Sequence, residues 1–310
     1  MARYLLRRLA TMLVALWLII TLTFIIMHVI PGGPFATEKK LPPEIMKNIL
    51  AHYHMDEPLW KQYTDYLGSL LRGDLGPSFK YENRTVNGII RDGFPVSATL
   101  GAIAIALALL IGIPAGIISA LRRNSWPDYL AMVLTTLGFS VPSFILGGLL
   151  MYVFAYRLQL LPPAMWGTPR QVIMPALALS ALPMAFVARL MRSSMLEVLQ
   201  QDYMRTARAK GLPERTVVWR HAVRNAITPV VTYLGPLVAG IFTGSFVVEN
   251  IFAIPGLGRY YVMSISDRDY TVILGVTIFY SAFLMLMNFL VDLAYVLIDP
   301  RVKLTGRREV

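Results

Sequence analysis

The sequence predicts an all-α integral membrane protein with six transmembrane helices. Of its 310 residues, 56% are hydrophobic and only 15% are charged, and the mean hydropathy is +0.57. Soluble domains carry about 25% charged residues. The apolar residues are concentrated in six runs, each near or above the ~20 residues that an α-helix needs to cross the hydrocarbon core. Helices are expected because lipid offers no hydrogen-bond partner to an open backbone.

The first apolar run has basic flanks like those of a signal peptide. It exceeds the ~7–15 residues of a signal h-region and no small-residue cleavage site follows, so we expect a retained span. Pro142 in the third run and Pro183 in the fourth indicate either packed, pathway-lining helices or simple kinks. The six predicted spans are Leu9–Ile30, Ala98–Leu121, Tyr129–Tyr156, Val172–Leu190, Ile227–Val248 and Val272–Ile298.

The distribution of charge predicts the orientation. With the N-terminus inside, the cytoplasmic segments hold 17 Lys and Arg against six Asp and Glu, whereas the external segments hold 12 against 11. The net charge of +11 therefore lies on one side, as the positive-inside rule requires, and it calls for no nucleic-acid partner. Both termini are predicted to be cytoplasmic. The predicted segments are a tail and first helix (1–31), an external segment (32–96), a five-helix core (97–300) and a cytoplasmic tail (301–310).

The external segment contains two predicted amphipathic helices. The first follows Pro42-Pro43, which suits a helix start, and the second ends at Gly73. They form either a docking surface for an external partner or a cap over the helix ends. Their apolar stripes have helical spacing: Ile45, Ile49 and Tyr53 in the first, and Trp60, Tyr63, Leu67 and Leu70 in the second.

A cationic loop, residues 193–226, separates the fourth and fifth spans. Its polar helical sequence is expected to end at Gly211, which can adopt the left-handed conformation, and Pro213 begins a second helix over Glu214–Asn225. The loop is thus predicted to be a helix–turn–helix. We expect one face to carry Leu196, Leu199, Tyr203 and Thr206, and the opposite side to carry Arg205, Arg208 and Lys210.

The loop is either an ordinary basic loop that obeys orientation rules or a docking element. Orientation explains its charge but not a helix stop and restart. Small residues at the tip, Thr206, Ala207, Ala209 and Gly211, permit close approach to another backbone. The pattern therefore favours insertion into a groove of a partner protein.

The stretch RTARAKGLP, Arg205–Pro213, resembles the EAA loop of ABC importer permeases, although Arg205 stands where that pattern has Glu. Both this departure and the long spacing to Pro229 are similar to the oligopeptide/dipeptide branch. Nearly the whole chain shares this similarity, which is greatest to the B subunit of oligopeptide permeases. Further motifs that carry it include TFIIMHVIPGGPF, GDLGPSFKYENRTVNGII, ARLMRSSMLEVL, GSFVVENIFAIPGLG and RDYTVILGVTIFY.

The resemblance implies a type I importer permease fold in a bacterial cytoplasmic (inner) membrane, without a cofactor. It also implies four kinds of partner: a second homologous permease, two cytoplasmic ATPase subunits, an external peptide-binding protein and the peptide substrate. The sequence agrees that ATP is hydrolysed elsewhere, because it lacks the Gly-Lys dipeptide of a Walker A loop. The expected ATPase-docking residues are Tyr203, Arg205, Thr206, Ala207, Arg208, Lys210, Gly211 and Leu212.

Polar residues within spans are candidates for function or internal structure. Glu249, beside Asn250, either borders the pathway or pairs with Arg259, and Asp292 shares the sixth span with Asn288. Small-residue pairs, Gly112 with Gly116 and Gly240 with Gly244, indicate close helix packing within the chain or at a subunit interface.

Several alternatives stay open. The load is a peptide by resemblance, with dipeptides, nickel or another load of the same family as alternatives. An ion-coupled secondary transporter would need several intramembrane carboxylates or an inverted repeat. An intramembrane hydrolase is disfavoured, because no His-Glu dipeptide occurs and only one Asp lies deep in a span. The absence of Cys excludes disulfides, thiolate metal sites and a Cys nucleophile, so no catalytic or metal site is predicted.

Overall fold

The computed structural model describes residues 2–30 and 55–298. These residues are nearly all helical, which confirms the predicted fold class; β pairing among them is limited to an isolated bridge between Pro77 and Thr85. The predicted helix after Pro42-Pro43 and the tail 301–310 lie outside the described residues. The helices are α1 Ala2–Val29, α2 Leu59–Leu71, α3 Val86–Leu121, α4 Trp126–Ser140, α5 Ser143–Leu150 with a π-helical continuation Met151–Arg157, α6 Pro169–Leu199, α7 Asp202–Ala209, α8 Glu214–Thr216 continued by π-helical Val217–Val223 and by Arg224–Ala226, α9 Thr228–Ile251, α10 Leu257–Asp267 and α11 Tyr270–Ile298.

Four described helices, α1, α3, α6 and α11, are long and apolar enough to cross a membrane. Two bent pairs bring the number to six if each pair is one span, in agreement with the six predicted spans. The pairs are α4 with α5 and α8 with α9.

The third predicted span is not one straight helix. Its two halves, Trp126–Ser140 and Ser143–Arg157, are bent by 107°. Pro142 explains the break, because its ring disfavours the helical conformation at the preceding residue, and Val141 is extended with φ −97° and ψ 113°. Pro183 behaves differently: α6 continues through it, and its side chain is buried.

The chain divides into two compact units. The first contains described residues of 1–95 and 256–286, and α2 packs there against α1 and the start of α11. Tyr63 shares a hydrogen bond of 2.6 Å with Thr21 and makes an edge contact with Phe24, whose ring centroid lies 5.3 Å away. The predicted second amphipathic helix is therefore present, but Trp60 of its apolar stripe is 70% exposed.

The second span's helix begins at Val86, twelve residues earlier than predicted. Thr85 caps it, because its hydroxyl accepts the Gly88 N–H at 3.1 Å. Val86 and Ile89 are fully buried, and a Cβ on Gly275 of α11 would lie 2.5 Å from Val86 Cγ1. A cap and a buried first turn thus extend α3 into the predicted external segment.

Asp269 ties the loop that contains Ser78 and Phe79 to the start of α11. Its buried carboxylate accepts hydrogen bonds from the Ser78 hydroxyl, from the Phe79 N–H at 3.1 Å and from the Thr271 hydroxyl at 3.0 Å. The same carboxylate accepts the Val272 N–H at 3.3 Å, so it also caps the helix.

The second unit contains described residues of 96–255 and 287–298, and in it α3 approaches α6 closely. A Cβ on Gly112 would lie 2.9 Å from the Met184 carbonyl oxygen, and one on Gly116 would lie 2.5 Å from the Ala188 carbonyl oxygen. The Gly112–Gly116 pair therefore serves packing within the chain. Gly240 differs, because an added Cβ there would meet nothing within 4 Å.

Replacing Gly116 with Ala should destabilise the protein by ~1–3 kcal/mol, because backbone atoms of α6 occupy the space of the new methyl group. Gly148→Ala is the matched control, since a Cβ there meets nothing within 4 Å and Ala favours a helix by ~1 kcal/mol over Gly. The measurement is thermal unfolding in detergent, followed by the fluorescence of the five Trp residues. Equal melting temperatures for the two variants would contradict the α3–α6 contact.

Candidate functional site

The candidate site is the segment 202–226, which is predicted to lie in the cytoplasm and is called here the cytoplasmic hairpin: α7, the turn 210–213 and α8. The common helical face that the sequence predicts across residues 196–206 would need one continuous helix there, and the structure has two. Helix α6 ends at Leu199, and Gln201 is extended with φ −69° and ψ 148°, which resets the helical register before α7 begins. The predicted common face of Leu196, Leu199, Tyr203 and Thr206 therefore does not exist. Tyr203 and Thr206 are exposed.

The buried side of α7 consists of Met204 and Ala207, which are 0% and 6% exposed. Both belong to one apolar core with residues from α3, α6, α8 and α9. Burying a side chain such as Met204 contributes about 1.5–3 kcal/mol. The hairpin is thus packed onto the membrane helices. The other buried members of this core are Ile117, Ala120, Val187, Met191, Met195, Val217, Val218, Ala222, Ala226 and Val230.

The turn of the hairpin has the geometry predicted for Gly211. Its φ is +73°; its N–H bonds the Arg208 carbonyl at 2.9 Å, and the Leu212 N–H points to the Ala207 carbonyl at 3.4 Å. This pair of bonds is the Schellman motif, which satisfies carbonyls that the end of a helix leaves without partners. Pro213 then precedes α8, as the sequence predicts.

Two side-chain contacts hold the hairpin closed. Arg208 binds Glu214 through two nitrogens, at 3.2 and 2.8 Å, and this hydrogen bonding raises the pKa of the Arg208 guanidinium. Asn225 of α8 donates a hydrogen bond of 3.0 Å to the Tyr203 hydroxyl. Exposed pairs of this kind contribute roughly 0–1 kcal/mol each to stability. Their main effect is therefore to define the geometry of the hairpin.

The predicted docking residues divide between two sides. Ala207 lies inside the core and cannot contribute a contact surface. The other seven are exposed: Tyr203, Arg205, Thr206, Arg208, Lys210, Gly211 and Leu212. Arg208 is already bound to Glu214, and Arg205 lies 3.6 Å from Asp202 in a fully solvated pair. The exposed side thus carries Arg205, Arg208 and Lys210, and of the four predicted small residues only Ala207 faces inward.

At the base of the hairpin the structure brings together Asp128 and Arg192, which are 64 residues apart. The guanidinium donates to both carboxylate oxygens, from Nε at 2.7 Å and from Nη2 at 2.9 Å. The Ser119 hydroxyl, at 2.5 Å, and the Asn124 N–H, at 2.9 Å, complete the carboxylate's bonds. Sequence reasoning missed this pair, because it counted Asp128 only as a loop charge; the cue was an Asp in the first turn of an apolar helix.

The remaining polar candidates do not form a common site in the described structure. Glu249 is 0% exposed, within α9, which favours a structural role for its side chain. Asn250 is exposed and Asn288 is half-buried. The side chain of Asp292 lies outside the described residues. No group of three or more His, Asp or Glu that could hold a metal ion occurs among the residues described.

Comparison with known proteins agrees with the resemblance seen in the motifs. Residues 112–304 match the family described as the inner membrane component of binding-protein-dependent transport systems, and residues 1–101 match its N-terminal membrane component. A protein of Bacillus subtilis named dipeptide transport system permease protein DppB is 53% identical over 98% of this chain and 99% of its own length.

Proteins named oligopeptide transport system permease protein OppB are also similar. That of Salmonella typhimurium is 45% identical and that of Escherichia coli K12 is 44% identical, each over 98% of this chain and 100% of its own length. A solved amino acid ABC transporter chain is similar in fold, with a TM-score of 0.52, 17% identity and coverage of 67% of this chain and 93% of that one. The chain therefore belongs to the family of inner membrane components of binding-protein-dependent transport systems.

Proposed function

We propose that this chain is a transmembrane permease subunit of an ATP-driven peptide importer. Together with a second, homologous permease it forms the translocation pathway in a bacterial inner membrane. Two cytoplasmic ATPase subunits drive it, and an external peptide-binding protein delivers the load. The names of full-length relatives at 44–53% identity support the substrate class, and the family supports the kind of partner.

The observation that carries the proposal is that the cytoplasmic hairpin is packed against the membrane helices on one side and exposed on the other. One side of α7 is buried in a core shared with α3 and α6, and the other side presents exposed residues, among them Arg205, Thr206 and Lys210. A loop that served only membrane orientation would need positive charge but no buried face. A part that receives force needs both a contact surface and a stiff connection.

The proposed mechanism follows from this arrangement. The ATPase subunits grip the exposed side of α7, and when they close on ATP they displace it. Because protein cores are close-packed, they transmit displacement rather than absorb it. The core around Met204 and Ala207 then moves α3 and α6 with the hairpin, and the cavity between the two permeases changes from inward-open to outward-open.

The size of the peptide stays open, because relatives of similar identity are named for dipeptides and for oligopeptides. Nickel or another load of the same family is the alternative. An ion-coupled secondary transporter is a weaker alternative, since it needs several carboxylates within the spans. The chain has 18 acidic residues, and in the predicted spans these are only Asp292 and, at the end of the fifth span, Glu249.

Transport by the complete complex in proteoliposomes tests the function directly. We expect uptake of a labelled peptide that requires ATP on the ATPase side and stops when the ATPase subunits carry an inactive Walker A lysine. Ionophores should leave this uptake unchanged, because no ion gradient drives it. Uptake that collapses with ionophores at constant ATP would contradict the proposal in favour of a secondary transporter.

The orientation is tested with single cysteines, since the natural chain contains none. Thr206→Cys and Glu82→Cys are a matched pair, because both side chains are exposed. In intact spheroplasts a membrane-impermeant maleimide should label position 82 but reach position 206 only after permeabilisation. Labelling of position 206 in intact spheroplasts would refute the cytoplasmic location of the hairpin.

Docking is tested at Gly211, whose added Cβ would meet nothing within 4 Å in this chain. Gly211→Trp should reduce peptide transport ~10-fold or more, equivalent to about 1.4 kcal/mol of lost docking free energy, while membrane insertion is unchanged. Gly211→Asn is the control, because Asn tolerates the left-handed backbone at little cost. Transport by the Trp variant at the level of the Asn variant would count against docking.

A further inference from the structure

The joint between Asp128 and Arg192 connects three separate elements at one point. The carboxylate belongs to the first turn of α4, the guanidinium to α6, and the Ser119 hydroxyl to the last turns of α3. Asp128 is 3% exposed, and each of its oxygens accepts two hydrogen bonds. A shift of α4 relative to α6 would break several of these bonds together.

The close backbone approach of α3 to α6 at Gly116 lies next to this joint. A Cβ on Gly116 would lie 3.0 Å from the Arg192 backbone nitrogen and 2.7 Å from Met191 Cβ. Helix α4 also lies against α6, since a Cβ on Gly138 would lie 2.9 Å from Ala185 Cβ. The ionic joint therefore locks a place where the helices already touch.

This joint is connected to the hairpin through rigid parts of the chain. Arg192 is followed by seven further residues of α6, and its neighbours Met191 and Met195 are fully buried in the core that also holds Met204 of α7. A displacement of α7 thus reaches Arg192 through close-packed side chains and continuous helix. From Arg192 it reaches α4 through the bidentate bond.

The chemistry of the pair suits positioning better than stabilisation. A buried ion pair loses hydration, and apolar side chains of similar volume often stabilise a fold equally well or better. What an apolar pair lacks is the fixed two-bond geometry of a guanidinium on a carboxylate. We infer that Asp128 and Arg192 are positioning residues that make α4 follow α6 when the hairpin moves, an inference that rests on the proposed coupling function.

The test compares Arg192→Lys with Arg170→Lys in the complete complex. Lys at 192 keeps the positive charge but loses the bidentate fork, whereas Arg170 lies in the first turn of α6 with its side chain exposed. The readout is peptide imported per ATP hydrolysed in proteoliposomes. Arg192→Lys should lower this ratio about fivefold or more, the lower end of typical allosteric couplings, and Arg170→Lys should leave it unchanged.

A purely structural role would reduce ATPase activity and transport together and leave their ratio intact, so an unchanged ratio overturns the inference. Asp128→Asn provides a second variant, because its amide sets an N–H donor against the donors of Arg192 or Asn124. It should lower the same ratio, measured on assembled complex. Should neither variant assemble into a complex, the joint is structural and the inference is also overturned.

Crosslinking from Thr206→Cys to the ATPase subunit separates this inference from the proposed function. If the Arg192→Lys chain still crosslinks to the ATPase subunit and imports the normal amount of peptide per ATP, the role of the joint is overturned and the proposed docking stands. Absence of the crosslink in the otherwise unaltered chain overturns the proposed docking, and the role of the joint with it.

Discussion

Burial of Met204 and Ala207 is the contact on which the behaviour of the cytoplasmic hairpin depends. Helix α7 has only eight residues, and helices of that length are marginal on their own in water. Its stability must come from the core that it shares with α3, α6 and α8. The same packing makes the hairpin an extension of the membrane helices rather than a loop hanging from them.

Polar contacts define the geometry of the hairpin that the core stabilises. The Schellman turn at Gly211 fixes where α7 ends, and the bonds of Arg208 with Glu214 fix the angle at which α8 leaves. At the base of the hairpin, the hydrogen bonds between Asp128 and Arg192 hold α4 against α6. In the proposed mechanism, the ATPase subunits displace the exposed side of α7. The displacement reaches α6 through the shared apolar core and reaches α4 through the bond between Asp128 and Arg192.

Sequence reasoning succeeded where local chemistry decides the structure. The apolar runs predicted the spans, Gly211 and Pro213 predicted the turn, and Gly73, with φ +77°, ends α2 as predicted. The wrong or missed predictions concern features that depend on tertiary contacts or on a single backbone angle. Extended Gln201 turned the other face of α7 inward, and no periodicity reveals that Asp128 meets Arg192. Pro142 signalled a break, but a bend of 107° depends on packing that one sequence does not record.

In the proposed mechanism α7 moves as one body with α3, α4 and α6, and distances between spin labels measure this movement. Labels at Asp202→Cys and Val133→Cys, both exposed in this chain and outside the predicted docking residues, report on the hairpin and on α4. If the hairpin and α4 move together, their distance distribution stays the same when ATP is added to the complete complex, while labels on the two ATPase subunits come closer together. A hairpin-to-α4 distance that changes as the ATPase subunits close would contradict it.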